Sequence, residues 1–286
     1  MTSRWTAEHL PDLTGRTFVV TGAAGGLGRA TTTALLARGA HVIAGVRDPG
    51  RAPAGAEAHH LDLADRTSVQ AFSDALHHRY RHLDVLINNA AVMAPPHTLT
   101  PDGHELQFAT NHLGHFALTH RLLDLLAAGR DPRVVTVTSV NHRQARTPLD
   151  GGGRYSPMGA YNRSKLANAV FGVELHRRLT AAGSPVRSIL AHPGYTRTGL
   201  QSAATTPMWR FLLDRLGNPL IAQPADRGAW PQLFAAAAPA AEAGVLYGPD
   251  GPGELRGHPV PVRLSAAATD PAIGRRLWEL SESLTG

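Results

Sequence analysis

The hydrophobic pattern of the chain alternates short β-branched runs with longer segments of helical periodicity. Runs such as Val134-Val135-Thr136-Val137 are apolar without alternation, which is typical of strands covered on both faces. Seven segments are predicted as strands: Thr17–Thr21, His41–Val46, Ala58–Leu61, Val85–Asn88, Val134–Ser139, Val186–Ala191 and Val245–Tyr247. Helices are predicted at Gly26–Arg38, Arg66–Arg79, Gly103–Ala128, Met158–Ala182, Pro224–Ala238 and Asp270–Leu284.

Strands that alternate with helices predict an α/β fold. We expect a single doubly wound Rossmann-type domain over residues 1–286, with a seven-stranded parallel sheet flanked by helices. Residues 1–15 are predicted as an N-terminal extension, and Gly248–Gly257 as a loop. The region at about 197–223 has no strand signal but contains an apolar stretch, Met208–Leu213. That stretch is either a helix packed on the core or a lid over the substrate.

The composition of the chain argues against several classes of protein and of binding site. The chain has no cysteine, which excludes a disulfide framework and a thiolate metal site. Its formal charge of +6 comes from scattered arginines, so we expect no nucleic-acid partner, only a diffuse field that suits anionic cofactors. No stretch approaches the run of about 18 apolar residues that a membrane span needs, and the N-terminus lacks a signal-peptide core. We therefore expect a cytoplasmic protein without a membrane span.

A glycine-rich turn follows the first predicted strand and opens the first helix. Glycine lets the backbone turn tightly and approach a pyrophosphate, and the helix N-terminus presents free N–H groups to phosphate oxygens. The residues predicted to bind a dinucleotide here are Thr21, Gly22, Gly26, Leu27 and Gly28. A glycine cluster alone is a weak signal, but its place between a strand and a helix strengthens it.

The end of the second predicted strand indicates which dinucleotide binds. An NAD site would place Asp or Glu there for the ribose hydroxyls, whereas this chain has Arg47, with Arg29 in the neighbouring helix. A guanidinium at that point favours a 2′-phosphate, so NADP(H) is predicted over NAD(H). Asp48 is interpreted as a loop or capping residue. Asp62 and Leu63, which close the third strand, are predicted beside the adenine.

Tyr161 and Lys165 lie four residues apart in a predicted helix, so their side chains share one face. A free tyrosine has a pKa near 10, and a neighbouring cation would lower that pKa and let the phenol exchange a proton at a carbonyl oxygen. Lys165 is also the only lysine among the 28 Lys and Arg residues of the chain. Since arginine stands at every other basic position, a chemical need for an ammonium group at this one is indicated.

Taken together, these motifs resemble those of the short-chain dehydrogenase/reductase family over nearly the whole chain. The matching features, in chain order, are Thr21-Gly22-x-x-x-Gly26-x-Gly28, Asn88-Asn89-Ala90-Ala91, Asn111, Ser139 and Tyr161-x-x-x-Lys165. The chain is most similar to the retinol-dehydrogenase-like branch. That closer match lies in Asn111-His112-Leu113-Gly114-His115-Phe116, Ser164-Lys165-Leu166-Ala167-Asn168 and His192-Pro193-Gly194-x-x-x-Thr198.

The resemblance implies a role for each matching residue. Tyr161 would be the general acid/base, Lys165 would lower its pKa and bind the ribose, and Ser139 would orient the substrate oxygen. Asn111 would hold the water through which protons reach Lys165. The remaining implied cofactor contacts are the floor residues Asn88, Asn89 and Ala90, and the residues Pro193, Gly194 and Thr196 that border the nicotinamide.

Two departures from the family pattern stand out. Ala91 replaces the usual glycine after Asn-Asn-Ala, a change expected to affect packing only. The separation of Ser139 and Tyr161 is longer than in most of the family, although the retinol-dehydrogenase-like branch also has an insert here. The intervening segment, Asn141–Pro157, must loop out and return for the two hydroxyls to meet.

The function predicted is hydride transfer between NADP(H) and a ketone, aldehyde or alcohol, with a lipophilic substrate suggested by the apolar stretch at 208–213. An epimerase or dehydratase of the same fold and a non-catalytic NADP(H)-binding protein are the alternatives. The 16 histidines show no zinc-type spacing with a carboxylate, so no metal is predicted. No Gly-x-Ser-x-Gly elbow supports a serine hydrolase. Family members often form dimers or tetramers, so a homo-oligomer is also expected.

Overall fold

The computed structural model describes residues 4–145, 149, 155–196 and 222–286, and strands alternate with helices through them. The strands are β1 (Thr17–Thr21), β2 (His41–Val46), β3 (Glu57–His60), β4 (Val85–Asn88), β5 (Arg133–Val137), β6 (Arg187–Ala191), β7 (Leu246–Pro249) and β8 (Pro259–Val262). The helices are α1 (Gly26–Leu36), α2 (Arg66–Arg79), α3 (Leu106–Phe108), α4 (Gly114–Ala127), α5 (Pro157–Ala181), α6 (Ala225–Gly228), α7 (Trp230–Ala237), α8 (Ala266–Thr269) and α9 (Pro271–Thr285).

The strands form one sheet in the order β3-β2-β1-β4-β5-β6-β7-β8. All neighbours are parallel except β7 and β8, which are antiparallel. The chain order reverses between β1 and β4, which creates a crevice at the carboxyl ends of these strands. The predicted phosphate turn follows β1 and therefore opens into this crevice.

Alternate residues of each central strand pack on opposite faces of the sheet. Phe18 and Val20 of β1 join one core with α1 and α7, whereas Val19 joins the other core with α2, α4 and α5. Leu10 and Leu13 are buried in the first core. The predicted N-terminal extension is therefore packed on the domain over its described part.

The predicted seven-stranded parallel sheet is corrected to eight strands with one antiparallel edge. The eighth strand was missed because Pro259 and Pro261 look like loop residues in the sequence. Proline has no N–H for the ladder and is tolerated on an edge strand, where one side of the backbone faces away from the sheet. Gly248 and Pro249, predicted as loop, belong to β7.

Some ends of strands and helices also differ from the predicted ones. The strand predicted to end at Ser139 ends at Val137, because Ser139 caps a 3₁₀ turn over Val140–Gln144. The long helix predicted from Gly103 begins at Leu106 and contains a π-helical turn over Ala109–Leu113 before α4. Turns of this kind are frequently found at functional sites.

The C-terminal helix α9 packs against α4 and α5 through Trp278. The Trp278 ring is 5% exposed. It lies 5.0 Å from Phe116 and 6.1 Å from Phe171, centroid to centroid, and the Arg178 guanidinium lies 4.2 Å from its centroid. Within the described ranges no helix is long and apolar enough to cross a bilayer.

We expect Trp278→Ala to destabilise the protein by about 3–5 kcal/mol, because a large aromatic side chain leaves a cavity between three helices. Urea unfolding followed by circular dichroism measures this change. Leu99→Ala is the matched control, since Leu99 is 56% exposed and its truncation should stay within about 0.5 kcal/mol. Similar losses in the two variants would contradict the packing role of Trp278.

Candidate active site

The glycine turn after β1 is shaped by close approach of backbone to backbone. Gly22 has φ +67°, and a Cβ at this position would lie 2.9 Å from Ala90. A Cβ on Gly28 would lie 2.2 Å from the Gly22 carbonyl oxygen. Larger residues would therefore push the start of α1 away from the end of β1.

The same turn has room for a phosphate group. Gly25 is the N-cap of α1 and provides no side-chain cap, so the first N–H groups of the helix stay available to an acceptor. A Cβ added to Gly25 would meet nothing within 4 Å. Open space beside uncapped amide groups at the carboxyl edge of the sheet fits the pyrophosphate of a dinucleotide.

Two arginines lie near this turn, Arg29 in α1 and Arg47 directly after β2. Arg29 donates from Nε to the Ala24 carbonyl at 3.1 Å and from Nη2 to the Arg51 carbonyl at 2.7 Å. It thus ties the glycine turn to the loop after β2. Arg47 is exposed directly after the strand, where an anionic group could reach its guanidinium. Asp48 caps a 3₁₀ turn by accepting the Gly50 N–H, as predicted.

Asp62 and Leu63 follow β3 at the same edge of the sheet. The Asp62 carboxylate accepts the Ala64 N–H at 2.9 Å, and the backbone N–H of Asp62 donates to Ser68 Oγ at 2.9 Å. Leu63 is buried, and its carbonyl oxygen would lie 2.2 Å from a Cβ on Gly114 at the start of α4. The predicted adenine neighbours are therefore held by both flanking helices.

The floor of the predicted cofactor site is held by one hydroxyl. Thr21 Oγ1 accepts the N–H groups of Asn89 at 2.9 Å and Ala90 at 3.0 Å. The Asn89 amide also donates to the Thr21 carbonyl at 2.7 Å. The loop after β4 is thereby fixed to the glycine turn. Asn88 points to the other side, where it donates to Thr119 of α4.

Helix α5 is bound to the end of β5 by three hydrogen bonds. Lys165 Nζ and Asn168 Nδ2 both donate to the Val137 carbonyl, at 3.2 and 3.3 Å. Thr138 Oγ1 donates to the Lys165 carbonyl at 2.7 Å. Tyr161 lies one helical turn before Lys165, and the Lys165 ammonium is 5.8 Å from the centroid of its ring. The predicted pair is therefore brought together and anchored to the sheet.

Burial controls the protonation of this pair. It raises the pKa of Tyr161 to about 12, while the nearby Ser139 side chain lowers it in part. Burial also lowers the pKa of Lys165 to about 8. The net pKa of Tyr161 is thus raised, because loss of water around the phenolate dominates. The lowering contribution expected from Lys165 stays a prediction. Both groups keep their protons at neutral pH.

Ser139 reaches Tyr161 despite the long insert between them. It is the N-cap of the 3₁₀ turn Val140–Gln144, and its Oγ accepts the Asn141 N–H at 3.2 Å. Its carbonyl accepts the Nδ1 proton of His142 at 2.6 Å. Residues 146–148 and 150–154 of the insert lie outside the described residues. The Ser139 side chain is close enough to Tyr161 to lower the pKa of the phenol, so the insert returns the chain to the site. The role of Ser139 in orienting a substrate stays a prediction.

Asn111 occupies the π-helical turn and is fully buried. Its side chain accepts the Val92 N–H at 2.8 Å and donates to the Val92 carbonyl and to Ser164 Oγ, both at 2.9 Å. Ser164 in turn donates to the Tyr161 carbonyl at 2.8 Å. Asn111 therefore joins the loop after β4 to the helix of the Tyr161–Lys165 pair.

His115 connects two parts of the candidate site, a role that its place in the Asn111 motif does not indicate. Its Nδ1 lies 3.0 Å from the Asn111 carbonyl and its Nε2 2.8 Å from Thr21 Oγ1. A carbonyl only accepts, so Nδ1 carries the proton, and Thr21, whose oxygen already accepts two N–H groups, donates to Nε2. Burial first, and then the Lys165 charge, hold its pKa at about 4. A neutral imidazole thus links the cofactor floor to Asn111, four residues earlier in the chain.

The segment after β6 carries the predicted nicotinamide neighbours. Thr196 Oγ1 and Gln223 Nε2 both donate to the Pro193 carbonyl, at 2.8 and 2.7 Å. Gln223 also donates its N–H to the Tyr195 carbonyl at 2.9 Å. Of the predicted lid region 197–223, only 222 and 223 are described, and Met208–Leu213 lie outside the described residues.

His112 packs among aromatic rings and next to a hydroxyl group. His112 is buried between Phe108, Phe116 and Phe171, with Nε2 2.8 Å from Ser281 Oγ of α9. Among the residues that the structure describes, no group of three or more His, Cys, Asp or Glu side chains is arranged to hold a metal ion.

The model of the short chain dehydrogenase family matches residues 16–209 of this chain, a span that holds the glycine turn, Asn111, Ser139, Tyr161 and Lys165. The chain belongs to the short-chain dehydrogenase/reductase family. It is 37% identical to retinol dehydrogenase 14 of Mus musculus over 95% of this chain and 86% of that protein. It is 38% identical to polyprenol dehydrogenase of Mus musculus over 97% of this chain and 86% of that protein. This membership makes it an oxidoreductase of alcohol and carbonyl groups.

Solved structures show the same fold. An uncharacterised protein from Mycobacterium paratuberculosis superposes with a TM-score of 0.82 at 43% identity, over 99% of this chain and 98% of that one. A 3-ketoacyl-(acyl-carrier-protein) reductase from Brucella melitensis, solved with NADH, superposes with a TM-score of 0.64 at 20% identity, over 82% and 96% of the two chains.

The buried ammonium of Lys165 should cost folding stability. Its pKa falls from 10.5 to about 8, which corresponds to at most about 3 kcal/mol at about 1.4 kcal/mol per tenfold change. The unfolded chain binds this proton more tightly, so the penalty is full below pH 8 and fades as the pH rises to about 10.5. Lys165→Met should therefore be more stable than the wild type at pH 7, and the difference should shrink toward pH 10.

Chemical denaturation of both proteins across this pH range measures the difference. Comparison of the two proteins removes the contributions of the other titrating groups, which they share. A constant difference at every pH, or a variant that is less stable throughout, would show that Lys165 is not held as a desolvated cation.

Proposed function

We propose that this protein is an NADP(H)-dependent carbonyl reductase or alcohol dehydrogenase whose proton donor is Tyr161. The observation that carries the proposal is that Tyr161, Ser139 and Lys165 gather after β5 at the same edge of the sheet as the uncapped N-terminus of α1. Proton donors for a carbonyl oxygen and a cradle for a dinucleotide phosphate thus share one edge of the sheet.

The protonation states favour reduction of a carbonyl at neutral pH. A bound NADPH would supply the hydride. Tyr161, whose pKa is raised to about 12, holds its proton until the substrate oxygen gains negative charge, and it then donates that proton. Ser139 donates a second hydrogen bond to the same oxygen and orients the carbonyl. The nearby ammonium of Lys165 stabilises the tyrosinate that remains.

The preference for the 2′-phosphate rests on the residues after β2. Arg47 is exposed there, and the acidic side chain that follows, Asp48, is occupied with capping the next turn. A carboxylate for the ribose hydroxyls is therefore absent from the end of β2, and a guanidinium stands in its place. NADP(H) is the cofactor that this arrangement suits.

A lipophilic alcohol or aldehyde is the substrate class we favour. The relatives named retinol dehydrogenase and polyprenol dehydrogenase are named for apolar alcohols. Among the residues that the structure describes, two large apolar side chains are exposed, Leu99 at 56% and Met158 at 43%. Leu99 lies in the long loop between β4 and α3, and Met158 lies one helical turn before Tyr161 in α5. Met158 thus exposes an apolar side chain near the proposed proton donor.

Tyr161→Phe should lower kcat with an active aldehyde by at least about 100-fold, because it removes the proton donor without changing the ring. The affinity for NADPH should stay nearly unchanged. Oxidation of NADPH, followed at the nicotinamide absorbance with ketones and aldehydes of increasing chain length, measures turnover, and fluorescence titration measures affinity. A fully active variant would refute the assigned proton donor.

The same substrate panel distinguishes a reductase from the alternative functions of this fold. Tight NADPH binding by the wild type without oxidation by any carbonyl would refute the reductase. Conversion of a substrate without net use of NADPH would instead identify an epimerase or a dehydratase.

Arg47→Ala should weaken NADPH binding by about 10- to 100-fold, as expected for loss of a charge-assisted hydrogen bond. Binding of NADH, which lacks the 2′-phosphate, should change far less. The matched control is Arg81→Ala, since Arg81 is also exposed but precedes β4 at the opposite edge of the sheet. Equal weakening of NADPH and NADH would contradict the proposed preference.

A further inference from the structure

A carboxylate in the loop after β7 joins two segments of the site. Glu254 Oε2 lies 2.9 Å from Nε2 of His192, the residue before Pro193. The same oxygen accepts Nη2 of Arg143 at 3.0 Å. Arg143 belongs to the 3₁₀ turn that Ser139 caps. One side chain from the loop thus contacts both the Ser139 turn and the end of β6.

The hydrogen bonds fix the protonation of this cluster. His192 is fully buried, and its Nδ1 accepts the Gly194 N–H at 3.2 Å, so Nε2 carries the proton and donates it to Glu254. The His192 and Arg143 hydrogen bonds keep the pKa of Glu254 at about 2 despite partial burial. The cluster is therefore an ionised carboxylate between one neutral imidazole and one guanidinium.

The backbone is held in place to deliver this carboxylate. Glu254 adopts φ +56°, a left-handed conformation that non-glycine residues rarely adopt. Its neighbour Leu255 accepts the Tyr195 N–H at 2.8 Å. A Cβ on Gly248 would lie 2.0 Å from His192 Nε2, so the absence of a side chain there makes room for the ring. Strained residues held in this way cluster at functional sites.

Arg143 also fastens the Ser139 turn on its outer side. Its Nη2 donates to the Arg263 carbonyl at 2.6 Å, and the neighbouring His142 joins the Ser139 carbonyl to the Ser265 N–H, at 2.6 and 3.2 Å. Each of these contacts holds the backbone from which the Ser139 hydroxyl projects.

We propose that Glu254 is a positioning residue that sets the Ser139 hydroxyl against the substrate oxygen by clamping Arg143 and His192. This inference rests on the proposed function, and it adds a residue from the loop after β7. The negative charge is needed because a neutral amide would hold the Arg143 guanidinium only through an ordinary hydrogen bond.

Glu254→Gln, Ser139→Ala and the double variant test the proposal as a double-mutant cycle. Glu254→Gln alone should lower kcat about 10-fold or more, since small displacements of an orienting group are costly. On the Ser139→Ala background, the same change should lower kcat by less than about 2-fold, because sites that act through one group are not additive. The assay follows NADPH oxidation with an aldehyde that the wild type reduces.

Glu57→Gln is the matched control. Glu57 is also a part-buried carboxylate between a histidine and an arginine, His59 at 2.6 Å and Arg79 at 3.3 Å, but it lies on the edge strand β3. Its variant should keep the wild-type kcat. Equal losses in the two glutamine variants would show a general effect of removing a carboxylate and would overturn the proposal.

The remaining outcomes are equally decisive. Full additivity in the cycle would overturn the action of Glu254 through Ser139 while leaving the reductase in place. A wild type that reduces no carbonyl would refute the proposed function and this inference with it. If Glu254→Gln does not fold, Arg143→Met removes the partner of the same ion pair. Its effect on kcat should be non-additive with that of Ser139→Ala in the same way.

Discussion

The attachment of α5 to the end of β5 is the constraint on which the site depends. The Val137 carbonyl accepts both Lys165 and Asn168, and Thr138 holds the Lys165 carbonyl. Strand β5 lies inside the sheet between β4 and β6, so it offers a rigid base. A helix fixed there holds Tyr161 near the residues that follow β5, and Ser139 is two residues beyond Val137.

Burial at this attachment changes the pKa values of Tyr161 and Lys165. The same burial that anchors Lys165 lowers its pKa and raises that of Tyr161. Both groups then hold their protons at neutral pH, in surroundings where electrostatic interactions are stronger than in water. A buried ammonium lowers folding stability beside the proposed proton donor, and such a loss of stability is common at active sites.

Two neutral histidines, His115 and His192, join segments of this site by hydrogen bonds. His115 donates from Nδ1 to a carbonyl and accepts at Nε2 from a hydroxyl, whereas His192 accepts at Nδ1 and donates from Nε2 to a carboxylate. The tautomers differ because their partners differ. Each ring spans segments that are distant in sequence, so the cofactor floor, the Asn111 turn and the Ser139 turn hold their positions together.

The sequence by itself determined the doubly wound fold, the glycine turn and the catalytic candidates, because strand runs, glycine positions and the four-residue spacing of Tyr161 and Lys165 are local patterns. It missed β8, whose prolines are tolerated only at an edge. Tertiary structure decided the pKa of Tyr161, since burial depends on what packs around the ring. It also decided the meeting of Ser139 with Tyr161 across the insert and the place of Glu254 beside Arg143 and His192. These contacts join residues more than twenty positions apart, and no local pattern encodes which distant side chain completes a hydrogen bond.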